Sequence, residues 1–359
     1  MKKVFLLTLL CSAYCSLFSQ NTFPTTGNVL INSSTDNGNQ LQVNGSATTT
    51  KDIIVNGITI GRGSGTTNYN TASGYNALRS NVTGDQNTAL GYSALLSNTT
   101  GTNNTALGAF ALVLNSTGIR NTALGDWALE GNTTGNFNDA IGYEALQSNT
   151  SGSFNYAIGH YALAFNQVGN GNFASGHGAL FNSTGNYNIG LGHLAGFNQS
   201  SGDNNIIIGA NADVPDLTGS NQLNIGNIIY GVGVSTSTAG AGNVGIGTTS
   251  PSEKLSVNGN IRAKKVIVTQ SGWADYVFEP TYKLPSLDSI SSFIKVNKHL
   301  PEMPSASAIE KDGQDVGEVQ KLLLKKVEEL TLYVIGQNER IQRLEEENKA
   351  LKKDQLSKK

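Results

Sequence analysis

Three of the four histidines are the side chains with the best spacing for a metal site. His160, His177 and His193 each follow a glycine, and the two intervals between them are almost equal. Histidines on successive turns of a repeating structure could share a metal ion through their ring nitrogens. Other copies of the repeat place varied residues at this position: Tyr75, Tyr92, Ala109, Asp126 and Tyr143. We therefore interpret the histidines as part of a surface ladder and predict no metal site.

A glycine motif near the end of the repeats matches the dinucleotide-binding fingerprint. Gly240, Gly242 and Gly245 fit the pattern G-x-G-x-x-G. That fingerprint requires a hydrophobic strand before it and a helix after it, because the helix N-terminus binds the pyrophosphate. Here the polar segment 235–238 precedes the motif and the segment 247–251 follows it. We therefore predict a turn and no cofactor.

The acidic residues of the repeat do not form a catalytic pair. Glycoside hydrolysis needs two carboxylates close together, whereas these occupy four different positions of the unit: Asp126, Glu130, Asp139 and Glu144. No serine has a matching histidine and aspartate. The sequence predicts no catalytic residue, and we expect the protein not to be an enzyme.

The N-terminal segment has the composition of an export signal. Residues 1–19 place two lysines before an apolar run that is too short to span a membrane. Cleavage would remove Cys11 and Cys15, the only cysteines, so that the mature chain forms no disulfide. We therefore expect a bacterial protein that is secreted or displayed on the cell surface, without a transmembrane segment after signal removal.

The middle of the chain is nearly free of basic residues. Residues 51–250 contain only Lys51, Arg62, Arg79 and Arg120, and most charged residues follow residue 250. A nucleic acid partner would require a positively charged surface. The composition therefore argues against nucleic acid binding.

A 17-residue unit repeats through this neutral region. Glycines recur at this period from Gly74 to Gly176 and continue, after one deletion, to Gly192 and Gly209, which gives eight units. One copy, residues 91–107, reads GYSALLSNTTGTNNTAL. The unit is too short for a helical hairpin. The chain should instead wind into a solenoid in which each coil bonds to the next.

Each unit contains two short apolar clusters, such as Ala94-Leu95 and Ala106-Leu107, separated by Asn, Thr and Gly. This pattern predicts strand, turn, strand and turn, with about four apolar side chains in the core and Gly or Asn at corners of positive φ. Such a thin core favours packing against further copies. The turns also contain sequons at Asn81, Asn98, Asn115, Asn132, Asn149 and Asn182, which we attribute to the repeat rather than to glycosylation.

The repeats resemble the head repeats of trimeric autotransporter adhesins over about residues 52–212. The matching segments are NTALGYSALLSNTTG and DIIVNGITIGRGSGTTNYNTASGYNAL. This resemblance implies a left-handed parallel β-roll in a threefold bundle. Segments 27–45 and 242–259 are two copies of one module and resemble the β-rich adaptors of phage tail fibres.

The C-terminal region has the heptad pattern of a coiled coil. Apolar residues alternate at spacings of three and four from Val316 onward. The predicted core is Leu323, Val327, Leu330, Val334, Gln337, Ile341, Leu344, Asn348 and Leu351. The pattern alone does not distinguish two strands from three, and the resemblance of the repeats favours three. Apolar residues outside this pattern before Gly336 predict that the first half packs against a globular region.

That globular region is predicted at residues 273–315, where Ser286 could cap a helix that ends near Val296. Together with the coiled coil, it resembles the end of tail-fibre proteins with an endosialidase-type chaperone domain. In that group the domain trimerises the fibre and can cleave itself. The Ser-Asp-x-x-Leu-Lys start of the cleaving members is replaced here by residues 272–275.

The predicted protein is mainly β: a homotrimeric parallel β-roll of 17-residue repeats with a small α+β domain and a C-terminal α-helical coiled coil. Its predicted parts are a signal peptide (1–19), an N-terminal β connector (20–51), the β-roll (52–212), a second β connector (213–272), the chaperone-like domain (273–315) and the coiled coil (316–359). The expected function is adhesion or surface structure, with self as partner and an unknown surface or glycan ligand. The alternatives are a self-processing tail-fibre protein and a solenoid that orders ice through Thr83, Thr100, Thr117 and Thr134.

Overall fold

The chain forms two compact units, residues 1–261 and 262–359. The computed structural model describes residues 29–31, 41–43, 52–67, 69–233 and 241–357. The first unit is a parallel β-solenoid in which each coil corresponds to one copy of the repeat, as the period predicts, and the second ends in a long helix. The predicted signal peptide lies outside the described residues.

One continuous sheet contains fifteen of the strands in sequence order. These strands are β3 (Ile53–Val55), β4 (Ile58–Gly61), β5 (Thr71–Tyr75), β6 (Thr88–Leu90), β7 (Thr105–Leu107), β8 (Thr122–Leu124), β9 (Asp139–Ile141), β10 (Tyr156–Ile158), β11 (Phe173–Ser175), β12 (Ile189–Leu191), β13 (Ile206–Ile208), β14 (Gln222–Ile225), β15 (Ile229–Val232), β16 (Asn243–Ile246) and β17 (Leu255–Val257). A separate parallel pair consists of β1 (Val29–Ile31) and β2 (Leu41–Val43).

Strands β5 to β14 are parallel, and each pairs with the equivalent strand of the next coil. Thr105 pairs with Thr122, a step of one repeat unit. Phe173 pairs with Ile189, so the one-residue deletion is absorbed without loss of register. The parallel ladder continues to β14, one coil beyond the eight units counted in the sequence.

Each coil contains one regular strand, and our expectation of two was wrong. The second apolar cluster, represented by Ala111 and Leu112, lies in a turn. Leu112 has φ 52° there, and its equivalents in neighbouring coils have the same left-handed backbone, which interrupts an extended chain. The segment still bonds to the next coil, since the Leu112 N–H donates to the Ala128 carbonyl at 3.0 Å.

The core is thinner than the sequence indicated. Ala111, Leu112 and Ala123 are fully buried and represent the three inward apolar positions of a coil. The fourth position, at Leu107, is 45% exposed. Successive strand residues point to opposite faces, so a strand that directs Ala106 inward must direct Leu107 outward. Burial of the core leucine offsets a left-handed backbone that costs roughly 1–2 kcal/mol.

The glycine that starts each coil is required by a close backbone approach. Gly159 has φ +129°, and a Cβ atom there would lie 2.5 Å from the carbonyl oxygen of Gly176. No side chain fits in that space without separating the two coils. The regularly spaced glycines therefore mark the positions at which the backbones of successive coils are in contact.

Two ladders of buried asparagines run along the inside of the solenoid. In the first, the Asn132 side-chain amide donates to Asn115 Oδ1 at 2.8 Å and to the Gly135 carbonyl at 3.1 Å. Its own Oδ1 accepts from Asn149 Nδ2 at 2.7 Å. The members of this ladder are Asn81, Asn98, Asn115, Asn132, Asn149 and Asn166. Buried polar groups remain stable when each has a partner.

The second asparagine ladder joins side chains to backbone. Asn104 Oδ1 accepts from the Asn121 backbone N–H at 3.0 Å, and Asn104 Nδ2 donates to the Gly118 carbonyl at 2.8 Å. We expected asparagine at corners of positive φ, as at Asn76 and Asn103, and the two buried ladders are a role that this expectation did not include. The sequons at Asn81, Asn98, Asn115, Asn132 and Asn149 are all buried, so the folded protein offers no side chain there for glycosylation.

Short antiparallel segments flank the parallel coils. At one end β3, β4 and β5 are antiparallel neighbours, and at the other end β14, β15 and β16 are. The two related modules, 27–45 and 242–259, each form a short parallel pair, β1 with β2 and β16 with β17. The sheet thus extends through residues that the sequence had assigned to a separate connector.

The regular secondary structure in the described part of the second unit is entirely helical. It contains a 3₁₀ helix (Ala274–Phe278), α1 (Leu287–Asn297), α2 (Ala306–Asp312) and α3 (Val316–Ser357). No strand is present in 262–357, so the expectation of a small α+β domain was wrong for this region. Ser286 caps α1 as predicted, since its hydroxyl accepts from the Ser289 N–H at 3.2 Å. The first half of α3 packs on the 3₁₀ helix.

Replacement of Asn132 by Ala should destabilise the solenoid by about 3 kcal/mol, because Asn115 Oδ1 and the Gly135 carbonyl would lose buried hydrogen bonds. Urea unfolding followed by circular dichroism measures the effect. Thr134→Ala is the matched control, since Thr134 is exposed and close in sequence, and its loss should change stability by less than about 0.5 kcal/mol. Equal effects of the two substitutions would contradict the ladder.

Replacement of Gly159 by Ala should separate two coils and lower the free energy of unfolding by at least about 2 kcal/mol, because Cβ meets backbone rather than a flexible side chain. The exposed neighbour provides the control, and His160→Ala should leave the unfolding midpoint nearly unchanged. A Gly159→Ala variant with native stability would show that the coils are further apart than described.

Candidate interaction surfaces

A column of leucine and isoleucine side chains runs along the outside of the parallel sheet. Its members lie at the last strand position and are exposed or half-buried: Leu90, Leu107, Leu124, Ile141, Ile158, Leu191, Ile208 and Ile225. We call this the Leu/Ile column. The coil whose strand ends at Ser175 is the one interruption among the described residues of the column. Contiguous exposed apolar surface of this kind indicates an interaction site.

Two rows of aromatic rings lie in the turn that follows the Leu/Ile column. In the first row, Tyr75 stacks on Tyr92 with ring centroids 5.3 Å apart, and Phe110 stacks on Trp127 at 4.3 Å. The second row contains Tyr143, Tyr161, Phe181 and Phe197. Its first three rings meet edge to face, and Phe181 stacks on Phe197. Rings on successive coils pack because the coils repeat at close to the stacking distance.

The histidines lie on the surface as predicted, but they share their environment with aromatic rings. His177 stacks on His193 with centroids 5.2 Å apart, and Tyr161 contacts His177 edge to face at 5.9 Å. His160 contacts Tyr143. No group of three or more His, Cys, Asp or Glu side chains with metal-binding geometry occurs among the described residues.

The acidic residues of the repeat serve local structure. Asp126 Oδ1 accepts from the Ala109 N–H at 2.7 Å, and Glu130 Oε2 accepts from Gln147 Nε2 at 2.9 Å. A hydrogen bond to Glu144 raises the pKa of the Tyr143 hydroxyl to about 12.

The glycine motif is part of the sheet. Gly245 lies within β16 and Gly242 directly before it, whereas Gly240 lies outside the described residues. The next element is the strand β17, and no helix N-terminus follows the motif. The geometry is therefore not that of a pyrophosphate-binding loop.

The predicted coiled-coil core forms an exposed apolar stripe on α3, which we call the α3 seam. Leu323 is 48% exposed and Leu330 is 60% exposed. The remaining seam residues are exposed as well: Val327, Val334, Gln337, Ile341, Leu344, Asn348 and Leu351. Within the second unit no described element covers this stripe.

The beginning of the α3 seam lines a groove of about 560 Å³. Leu323, Val327 and Leu330 form one wall, and Leu287 and Ile290 of α1 contribute to the other. These two walls are apolar, charged residues such as Lys326 and Glu329 line the rest of the groove, and the apolar wall on α3 continues into the exposed seam.

An ion-pair network at the side of the groove was not foreseen from the sequence. Lys325 binds Glu302 at 2.7 Å, and Lys326 binds Glu302 at 3.2 Å and Glu329 at 2.9 Å. The Tyr282 hydroxyl donates to Glu329, and burial together with this contact raises the pKa of Tyr282. The partners come from separate segments of the chain, so no local sequence motif predicts these contacts.

Glu328 is the one described buried carboxylate of α3 with an unpartnered oxygen. It is 8% exposed, and its Oε2 accepts no hydrogen bond in the structure. Burial raises the pKa of Glu328, and the negative charge of Asp275 adds to the increase. The protonated form is therefore the one that the fold favours.

The fold and these surfaces define a repetitive parallel β-solenoid with a helical C-terminal unit. No family model, curated protein or solved structure matches the chain. Among the described helices, none combines the length and the apolar character needed to cross a membrane.

Replacement of Glu328 by Gln should raise the melting temperature at pH 7, because it removes a charge that burial disfavours. The folded-state pKa is raised, so the carboxyl favours folding below its unfolded pKa, and this contribution is lost as the pH rises through the folded pKa. The difference between Glu328→Gln and the native protein should diminish as the pH falls through the folded-state pKa, because the protonated carboxyl is then as uncharged as the amide. Glu339→Gln, at an exposed position of α3, is the control and should show no such dependence.

Proposed function

We propose that the protein is an exported, homotrimeric, non-catalytic fibre protein with an adhesin-like or surface structural role. The observation that carries this proposal is the α3 seam, in which apolar side chains at heptad spacing are about half exposed or more along the helix. Isolated helices bury such a stripe by pairing with other helices. The partner that carries a matching stripe is a second copy of the same chain.

The solenoid supplies a second surface of the same kind. A typical coil buries two alanines and one leucine, as at Ala111, Leu112 and Ala123, while the Leu/Ile column stays outside. Ordering one coil costs on the order of 25 kcal/mol, so apolar surface that a neighbouring copy buries adds a useful contribution. Every member of the Leu/Ile column is uncharged and apolar, so identical columns can meet without electrostatic repulsion.

The number of copies follows from the resemblance of the repeats. Segments such as NTALGYSALLSNTTG resemble the heads of trimeric adhesins, and that resemblance favours three chains over two. A C-terminal coiled coil would then hold three solenoids in register.

An adhesive or structural role agrees with the outer surface. Repetition presents the same side chains on successive coils, and this allows individually weak contacts to act together. The N-terminal segment 1–19 has the composition of an export signal, which would bring the fibre to the cell surface.

Replacement of Val334 by Lys should disrupt the trimer, because it places three charges in the apolar core of the helical bundle. Multi-angle light scattering of the chain without residues 1–19 should give a trimer for the native protein. The variant should dissociate at concentrations about ten-fold or more higher.

Ile335→Lys is the matched control for this substitution. Ile335 has a similar exposed fraction to Val334, 51% against 56%, but lies outside the α3 seam, and its replacement should leave the trimer intact. Deletion of residues 316–359 should also abolish trimers. A stable native monomer would overturn the proposal.

A further inference from the structure

One corner of the solenoid carries aromatic residues where the backbone disfavours them. Phe137, Phe154 and Tyr187 occupy equivalent positions of three coils, with φ values of 56°, 61° and 56°. Asn103 and Gly171 at this position are residue types that accept a left-handed backbone readily, whereas Gln86 and Arg120 are not. We call this position the corner column.

The aromatic side chains of the corner column gain little from burial. Phe154 and Tyr187 are each 64% exposed, and Phe137 is 37% exposed. A strained backbone with an exposed apolar side chain lowers stability on both counts. Stacking of Phe137 on Phe154 offsets part of this cost, and the exposed faces of the rings remain available for a binding role.

The rings form an ordered array along the solenoid axis. Phe137 stacks on Phe154 with centroids 4.9 Å apart and planes 6° from parallel. The Arg120 guanidinium lies over the Phe137 ring at 5.2 Å. Tyr187 covers the empty position at Gly171, since a Cβ atom there would lie 2.6 Å from its ring. From Arg120 to Tyr187 the array spans four coil steps, about 19 Å.

A second pair of stacked rings lies next to this array, at the start of two strands. Tyr156 stacks on Phe173 at 4.9 Å, at the first position of strands β10 and β11. The buried Asn155 and Asn172 separate this position from the corner column by a single inward residue. Within β10, Tyr156 projects to the same outer face as Ile158 of the Leu/Ile column, because residues two apart in a strand share a face.

The surroundings of the array are polar but almost uncharged. The residue before each corner position is Asn136, Ser153 or Asn186 in the aromatic coils, and each side-chain oxygen accepts a backbone N–H of the preceding coil. Asn186 also donates to the carboxylate of Asp203. Across the coils of the array, Arg120 and Asp139 are the charged residues at these two ring positions. Phosphate or sulfate groups would find few partners here. A sugar ring matches the site, because its C–H face packs on aromatic rings while its hydroxyls bond to amides and hydroxyls.

We propose that the corner column binds a neutral, extended polysaccharide that runs along the solenoid axis. The spacing of the coils is close to the length of one pyranose unit, so successive sugars meet equivalent rings. This inference rests on the proposed adhesive function and names its ligand class. Three copies in one fibre would strengthen the binding by avidity.

Pull-down on insoluble cellulose and chitin, and affinity electrophoresis in gels with a soluble β-glucan, test the proposal. The native trimer should bind at least one of these neutral glycans, and 1 M NaCl should not release it, because screening weakens only charge interactions. Heparin and anionic lipid vesicles should not be bound. Failure to bind any neutral glycan, or preference for heparin or vesicles, would overturn the inference.

The double variant Phe154→Asn and Tyr187→Asn should bind at least about ten-fold more weakly. It should melt at the same temperature or higher, because asparagine tolerates the left-handed backbone. A merely structural role of the two rings would instead lower the melting temperature and leave glycan binding unchanged.

Phe165→Asn is the matched control for the double variant. Phe165 is 47% exposed and lies outside the corner column, and equivalent coil positions hold Asn182 and Asn198. Its replacement should keep full binding. Light scattering of the same samples separates the two proposals. If the native protein is a trimer and the double variant binds normally, only the glycan site is wrong. If the native protein is a monomer, the proposed fibre is wrong.

Discussion

Hydrogen bonds between equivalent residues of successive coils are the interaction on which the rest of this structure depends. Each coil copies the backbone path of its neighbour, so the Thr105 strand pairs with the Thr122 strand and the Leu112 turn bonds to the Ala128 turn. Copying is possible only where the backbones can touch, and the starting glycines provide that contact. Once the path is fixed, each side chain stacks on its equivalent, and columns of like residues follow.

This constraint gives the asparagines their roles. An amide has both donors and an acceptor, so it can bond to an identical amide one coil away and satisfy both partners. Aspartate lacks the donor, and leucine lacks both. The interior can therefore remain polar along two lines in which the buried asparagines bond to their equivalents, and the small apolar core between them suffices for a thin coil.

Much of the architecture could be predicted from spacing, because spacing is what the fold repeats. The glycine period gave the coil length, and Ser286 before an apolar run marked the start of α1. The period did not reveal the side-chain directions. Leu107 was assigned to the core because it is apolar, but strand alternation directs it outward once Ala106 faces in.

Contacts between residues that are far apart in the chain could not be predicted from the sequence. The contact between Tyr282 and Glu329 links two segments that are far apart in the chain and has no period. The aromatic corner of Phe154 was also missed, although asparagine and glycine at the equivalent positions of other coils are a signal that a reader could use. The expected self-association and ligand remain predictions, because they involve other molecules.

The coil between Phe173 and Ile189 is one residue shorter than the others, and its strands still pair in register. The solenoid therefore tolerates a change in coil length. A coil can lose a residue at its turn, and the ladder continues. Since neighbouring units also have nearly the same sequence, recombination between their coding segments could insert or remove whole coils. Selection could then adjust the length of the solenoid one coil at a time, without a new fold.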